Sequence, residues 1–420
     1  MKIKIVEKAY EEVLAIKPEP HQKPKKPNLL FRTLLRLVSI PDLWASKFSF
    51  RKIGMEKLGK REPCLYLMNH SCFLDPRMAI RMTYPRPLNI VMTTDGFVGK
   101  KWLMRQLGCI PTKKFVTDLG LIRDMRYTVQ TLKSSVLLYP EAGYSFDGTA
   151  TALPDTLGGL LKLLDVPVVM IKTYGAFLRD PLYNNLQKRK IKVTADMTYL
   201  LSREEIKEKS TEELNGILRE QFTFDAFAWQ RENGIRVTER FRADGLERVL
   251  YKCPECRKEG CMMGQGTRLI CSACGKEYEL TEDGTLRAIE GITEFCGVPE
   301  WFAWERRCVS AELRDGIYSM DAEVDIYMMV DAKALYFVGD GHLSHTKEGF
   351  HLTGCGGKLD YTRSPIVAHS LNADFNWYEL GDVICIGDAK TLYYCFPKDK
   401  KSPVAKARLA AEELYNMMKK

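Results

Sequence analysis

From about Arg61 to Leu200 short apolar runs alternate with longer amphipathic stretches. CLYLMN (64–69), LNIVMTT (88–94), VLLYP (136–140), VPVVMIKTYG (166–175) and IKVTADMTYL (191–200) predict strands. MAIRMTY (78–84), GKKWLMRQLG (99–108), LIRDMRYTVQTLKS (121–134) and TLGGLLKLL (156–164) predict helices between them. Near-continuous apolar strands alternating with helices predict an α/β layer on a largely parallel sheet. The charged stretch 202–222 predicts a helix, and helical character continues to about Leu250. The pattern then changes. Residues 251–280 carry little apolar mass, and 281–400 predict short strands: ALYFV, HLSHT, FHLTG, NWYELG, DVICIGD and TLYYCFP, with GDG and KEG as turns. A final helix, Val404–Lys419, closes this smaller, mostly-β region.

Upstream, residues 17–28 (KPEPHQKPKKPN) predict a solvated linker. In Asn28–Phe50 the residues Leu29, Leu30, Leu34, Leu35, Leu37 and Val38 recur at helical spacing, with Arg32 and Arg36 placed i, i+4 and Pro41 expected to end or kink the helix. This segment reads either as a helix packed on its own domain or as an amphipathic helix lying in a bilayer interface, its basic face toward anionic headgroups. Charge favours an anionic surface at this end. Residues 1–60 hold 14 basic and 6 acidic side chains, so eight of the formal +9 sit there. No stretch reaches the ~18–20 apolar residues of a membrane span, and the N-terminus lacks the apolar block of a secretory signal. The expectation is a cytoplasmic protein, peripheral on the membrane. A chain of 420 residues exceeds one hydrophobic core, and the patterns divide it into a basic segment (1–60), an α/β domain (61–250), a cysteine-bearing unit (251–280) and a β-rich accessory domain (281–420).

The candidate chemistry begins where CLYLMN ends. Asn69-His70 is followed by Asp75-Pro76 at the end of a strand, the edge at which α/β folds place ligands. A carboxylate five residues after an imidazole can accept its Nδ1 proton and leave Nε2 free as a base for a hydroxyl. His-x4-Asp also arises by chance, so its neighbours matter. VLLYP runs into Glu141-Ala142-Gly143-Tyr144-Ser145, where a carboxylate in a glycine-containing turn is either chemistry or a cap. Gly108-Cys109-Ile110-Pro111 precedes Lys113 and Lys114, a phosphate cradle or a solvated basic loop. Val166-Pro167-Val168 opens another strand.

These four pieces in this order resemble the glycerolipid acyltransferase family, which includes glycerol-3-phosphate and lysophosphatidate acyltransferases. Asn69, His70, Asp75 and Pro76 match the family's first block. Gly108, Ile110 and Pro111 match the second, with Lys114 where Arg is usual. Pro140, Glu141 and Ser145 match the third, and Val166, Pro167 and Val168 the fourth. The resemblance spans about residues 30–230. It implies transfer of a fatty acyl group from acyl-CoA or acyl-carrier protein to the hydroxyl of a lysophospholipid or glycerol-phosphate-like acceptor. His70 and Asp75 would be catalytic, with Asn69, Lys113, Lys114, Glu141, Gly143 and Ser145 at the acceptor. No acyl-enzyme is expected, so Cys72 beside His70 reads as a bystander rather than a nucleophile. The third block departs from the family: Ala142-Gly143-Tyr144 stands where Gly-Thr-Arg is usual, removing an Arg expected at an acceptor phosphate. Lys114 keeps a charge but loses the bidentate fork.

Cys253-x2-Cys256 and Cys271-x2-Cys274, 14 residues apart, have the spacing of a tetrahedral Zn²⁺ site in a zinc ribbon. Four thiolates leave no open position, so the expected role is structural; Cys261 between the pairs is a less fitting ligand. A ribbon raises a rival reading: a non-catalytic regulator, binding nucleic acid or lipid, on a degenerate acyltransferase domain. Arg257, Lys258, Arg268 and Lys276 are balanced by Glu255, Glu259, Glu277 and Glu279, so nucleic acid is not the expected partner. His342, His345 and His351 read as surface or core residues.

Overall fold

The computed structural model describes residues 2–17, 19–116, 118–399 and 404–419. The chain enters through a short strand, β1 (Ile5–Glu7), then builds a seven-stranded sheet from β2 (Ser49–Ile53), β3 (Leu65–Met68), β4 (Leu88–Thr93), β5 (Cys109–Thr112), β6 (Ser135–Leu138), β7 (Val168–Tyr174) and β8 (Thr194–Leu201). The order is β2-β8-β7-β3-β6-β4-β5. From β7 across to β5 neighbouring strands are parallel, and β8 runs antiparallel to β7. Successive side chains of a strand face opposite sides. Tyr66 and Met68 therefore pack with Leu43, Met78 and Met82 from helices Leu29–Ala45 and Asp75–Thr83. Leu65 and Leu67 pack on the other face with Met125, Leu161 and Leu218 from helices Leu119–Gln130, Leu157–Leu164 and Thr211–Phe222. Covered on both faces, β3 must be apolar throughout, as its sequence is.

The expected α/β class, cysteine cluster and terminal β region with its closing helix are all present. The cysteines lie around an antiparallel sheet of β9 (Met262–Gln265), β10 (Arg268–Cys271), β11 (Glu277–Leu280) and β12 (Leu286–Ala288). The last sheet joins β13 (Met320–Met329), β14 (Leu335–Thr346), β15 (Gly349–Gly354), β16 (Leu359–Arg363), β17 (Asn372–Trp377), β18 (Gly381–Gly387) and β19 (Leu392–Pro397) in the order β16-β15-β14-β13-β19-β18-β17. Phe146 from the loop after β6 shares a core with Phe375 of this sheet and Leu409 of the closing helix.

Four local features differ from the sequence pattern. Helix Leu29–Ala45 runs through Pro41; the carbonyl that Pro41 leaves without a donor belongs to exposed Leu37, where water can reach it. The GDG tripeptide is not a turn but the middle of β14. Gly341 faces Gly354 across the ladder, and a Cβ on Gly341 would meet the Thr353 carbonyl at 2.2 Å. Helix Val298–Arg314 occupies part of the stretch read as short strands. Finally β1, inside the basic N-terminal segment, pairs in parallel with Leu335–Phe337 of β14.

Candidate active site

Parallel strands end on the same side, so sheet topology alone brings the loops after β3, β5, β6 and β7 together. His70 lies two residues beyond β3, Lys113 and Lys114 just beyond β5, and Glu141 three residues beyond β6. The fourth block is at the opposite end. The Pro167 carbonyl accepts from Leu65 N–H at 2.9 Å and aligns the entry of β7 with β3, so Val166-Pro167-Val168 is a strand entry.

Around His70 every backbone polar group is spoken for. Its N–H donates to Glu141 Oε2 at 2.7 Å, and its carbonyl accepts from Ser145 N–H at 3.4 Å. Its Nδ1 lies 2.9 Å from Asp75 Oδ2. That same oxygen accepts from Ser71 N–H at 2.8 Å and Cys72 N–H at 3.1 Å. Asp75 has no exposed surface, while the His70 side chain keeps 13 %. A carboxylate acceptor on Nδ1 puts the neutral ring's proton there and leaves the lone pair on Nε2, for which no described residue supplies a hydrogen bond. Burial lowers the His70 pKa, opposed by Asp75 and helped by the Lys114 charge, so the neutral, proton-accepting form is favoured. The Cys72 thiol is 2 % exposed, and burial pushes its pKa well up, with the Asp75 charge adding to the effect. It is a poor nucleophile.

The other expected residues sort by what holds them. Asn69 Oδ1 accepts from Thr173 N–H at 2.8 Å and Thr173 Oγ1 at 3.2 Å, fastening the end of β3 to β7. Both Glu141 oxygens are taken: Thr151 N–H and Oγ1 donate to Oε1 at 3.0 and 2.9 Å. Ser145 Oγ donates to the Thr149 carbonyl at 2.6 Å and accepts from Gly148 N–H at 2.9 Å, closing its own loop. Gly143 sits beside the Arg408 guanidinium. Lys114 comes within 5.9 Å of the Tyr144 ring centre, whereas Lys113 turns away and donates to the Ala389 carbonyl in the bend between β18 and β19.

Two aromatic rings complete the site. The His70 ring is sandwiched between Tyr139 at 4.3 Å and Tyr144 at 3.9 Å. Tyr144, at the position where Arg is usual, is thus a face against the imidazole. The Arg408 guanidinium reaches in from the closing helix to donate to the Tyr144 carbonyl at 2.9 Å and lies 4.5 Å over the Phe146 ring. The departure at 144 was visible in the sequence; nothing local marked Arg408, 264 residues away.

Away from this site, the Cys253, Cys256, Cys271 and Cys274 thiols all lie within 4.8 Å of one another, close enough for one metal ion. The two turns repeat one geometry. Arg257 N–H donates to the Cys253 carbonyl at 3.0 Å, and Gly275 N–H to the Cys271 carbonyl at 2.9 Å. Cys253 and Cys271 N–H donate to Lys258 and Lys276 carbonyls, both at 2.9 Å. Both knuckles need positive φ at the residue after the second cysteine, 63° at Arg257 and 78° at Gly275. Cys253 and Cys274 Sγ are 3.7 Å apart, as are Cys256 and Cys271, near the edge of about 3.8 Å that a tetrahedron of 2.3 Å metal–sulfur bonds requires. Cys261 Sγ lies 3.4 Å from Cys271.

The N-terminal helix is reversed from the amphipathic expectation. Leu29, Leu30, Leu34, Leu37, Val38 and Trp44 are exposed. Arg32 instead donates to the Pro85 carbonyl at 2.8 Å, and Arg36 stacks on Tyr84 at 4.4 Å. The arginines tie the helix to its own domain, because Pro85 offers a carbonyl and Tyr84 a ring. Exposed Trp102 packs edge-on against Phe31 of this helix at 5.9 Å, and exposed Phe73 lies 5.3 Å from Tyr144. No described helix is long and apolar enough to cross a membrane.

Residues 49–171, which span the first three blocks and the fourth, match the family model described as Acyltransferase. The chain is similar to a solved structure, the 1-acyl-sn-glycerophosphate (LPA) acyltransferase PlsC from Thermotoga maritima. Identity is 16 % over 46 % of this chain and 76 % of that one, with a TM-score of 0.34. Among curated proteins no significant match is found.

Proposed function

We propose that this chain, whose residues 49–171 match the Acyltransferase family model, is a glycerolipid acyltransferase that moves a fatty acyl group from an acyl-CoA or acyl-carrier-protein thioester to a hydroxyl of a lipid acceptor. The observation that carries the reading is the His70 Nδ1–Asp75 Oδ2 contact at 2.9 Å on a carboxylate with no exposed surface. With Nδ1–H held, Nε2 takes the acceptor's hydroxyl proton as its oxygen attacks the thioester carbonyl. The carbon–sulfur bond breaks, and the imidazolium returns the proton to the leaving thiolate. The products are an ester and a free thiol. Asp75 stabilises the transient imidazolium. Asn69, Glu141 and Ser145 act on the backbone that carries His70, so they are positioning residues.

The four cysteines hold a structural Zn²⁺. All four ligand positions are thiols, which a soft, tetrahedral ion accepts with no site left for substrate. The exposed leucines of helix Leu29–Ala45, with Trp44, Trp102 and Phe73, form the surface that rests on a membrane beside the site, burying apolar area rather than pairing charge.

The test is release of free thiol from acyl-CoA in the presence of lipid acceptors. His70→Ala should abolish it and Cys72→Ala should not. Activity that survives His70→Ala refutes the base; activity that is lost only in Cys72→Ala points to a thiol nucleophile.

A further inference from the structure

Beside the four clustered cysteines stands a fifth thiol that a four-coordinate metal leaves over. Cys261 immediately precedes β9, and its carbonyl accepts from Ser272 N–H at 2.8 Å and from Ser272 Oγ at 3.0 Å. Its backbone is thereby fastened to the second knuckle, next to Cys271. Its side chain reaches the first knuckle: Sγ donates to the Lys258 carbonyl at 3.3 Å, the same oxygen that accepts from Cys253 N–H. Held from both sides, Cys261 Sγ lies 3.4 Å from Cys271 Sγ. The ligand pairs Cys256–Cys271 and Cys253–Cys274 are wider, each at 3.7 Å. Cys261 is half-buried and Cys274 is exposed, so a small solute can reach the cluster.

These thiols are not chemically equivalent. A metal holds its cysteine ligands as thiolates, fixed at the corners of one tetrahedron. Cys261 stands outside that set and keeps its proton, which it shares with the Lys258 carbonyl. Cys271 is then a nucleophilic thiolate with a free thiol against it. An oxidised sulfur in that position meets a resolving partner at once. A Cys256–Cys271 bond would instead withdraw two ligands from the metal together.

Resting on the zinc reading above, we propose that Cys271 and Cys261 form an oxidation site for hydrogen peroxide, closing to a disulfide that releases the metal. The Cys271 thiolate attacks one peroxide oxygen, becomes a sulfenic acid and expels hydroxide. The Cys261 sulfur then attacks the sulfenic sulfur, and its own proton leaves with the displaced hydroxyl as water. One thiolate, one thiol and one peroxide thus give one disulfide, one water and one hydroxide, the sulfurs being oxidised and the peroxide reduced. Cys271 no longer ties the second knuckle to the metal.

The full-length, zinc-loaded protein is treated with hydrogen peroxide, released zinc is followed with a chromogenic chelator, and the cross-links are mapped by mass spectrometry. Trypsin cuts after Lys258 and Arg268, placing Cys261 and Cys271 on separate peptides, 259–268 and 269–276. Fragmentation of the second peptide distinguishes Cys271 from Cys274. The expected result is a Cys261–Cys271 cross-link that accumulates as zinc is released. Cys261→Ser and Cys261→Ala should both retain zinc before treatment and release it about tenfold more slowly under the same peroxide. Release at the wild-type rate from both variants, or a Cys256–Cys271 cross-link in the wild type, overturns the proposal. So does loss of zinc from the untreated variants, since Cys261 would then be a ligand. Wild-type protein that carries no zinc refutes instead the zinc reading on which the proposal rests.

Discussion

Asp75→Asn isolates charge from shape at the proposed base. Asp75 Oδ2 collects three donors, His70 Nδ1, Ser71 N–H and Cys72 N–H, whereas Oδ1 meets the Cys72 thiol at 3.6 Å. An asparagine with its oxygen in the Oδ2 position keeps all three donors and points its amide at a sulfur, so the loop geometry survives. What disappears is the negative charge opposite the imidazolium. Two unit charges about 4 Å apart at an effective dielectric of about 20 interact by about 4 kcal/mol, which corresponds to about a thousandfold in rate. Folding changes far less, because the weaker hydrogen bonds are offset by relief of a buried carboxylate's desolvation. The assay is steady-state thiol release from acyl-CoA at saturating acceptor, with circular dichroism and a thermal melt as controls on the fold. The expected result is a kcat reduced about a thousandfold with a nearly unchanged melting curve. A folded Asp75→Asn protein whose kcat stays within tenfold of wild type would show that no imidazolium forms in the rate-limiting step.

The lowered His70 pKa gives a pH prediction. Burial disfavours the protonated ring, so the base stays active below the usual histidine value, and the acid limb of kcat/KM should fall below pH about 6.5. Because the folded pKa lies under the unfolded one, the neutral ring's contribution to stability is present above that value and is lost as pH falls through the folded pKa. Lys114→Met removes a charge that lowers His70 and should move the limb upward; a downward shift contradicts the assignment. Metal analysis should give about one zinc per chain, and Cys271→Ser should lose it together with thermal stability; a metal-free wild type that melts normally argues against the ribbon. Leu34→Glu and Trp102→Glu each remove apolar surface worth about 1.5–3 kcal/mol when buried. Vesicle co-sedimentation should drop about tenfold or more for each, and unchanged sedimentation in both removes the docking surface.

Much of the α/β layer was legible because its physics is local. β3, β4, β6 and β7 are apolar runs of strand length and β8 alternates, whereas the four residues of β5, with Pro111 among them, are too short to stand out; helix Leu157–Leu164 shows its buried face as Leu157, Leu161 and Leu164. The first block was legible for the same reason: His70 and Asp75 lie five residues apart, and the turn between them suffices to join them. The knuckles, too, are set by spacing within each pair. What escaped detection depends on distant segments. Pro41 reads as a helix end until the exposure of Leu37 is known, and GDG reads as a turn until Gly354 is seen opposite Gly341. Lys113 and Lys114 look alike in sequence, yet one is turned to Ala389 and the other to Tyr144, a difference decided by a strand connection 276 residues away. The arginines of the N-terminal helix were legible as a pair but not in direction, since the carbonyl of Pro85 and the ring of Tyr84 fix that.

The accessory sheet also explains why the third block tolerates losing its arginine. A cation at position 144 would stand against Arg408, whose guanidinium already meets the Tyr144 carbonyl, and against Lys114. A neutral ring there avoids a third positive charge, contributes stacking on both His70 and Phe73, and lets Arg408 anchor the loop from the closing helix. Arg408 is in turn paired with Glu412, which also receives Arg306 at 2.6 Å and the Ser370 hydroxyl at 2.6 Å. Arg306 lies on helix Val298–Arg314, whose Trp301 donates its indole N–H to the Lys252 carbonyl, one residue before the first knuckle cysteine. A continuous chain of contacts, half-buried at Arg306, therefore runs from the cysteine cluster to the ring that covers His70. Removing the metal proposed for the cysteines should loosen the knuckle, the helix and the Arg408 anchor, and a chelator should then lower thiol release from acyl-CoA; unchanged activity in metal-stripped protein refutes that coupling.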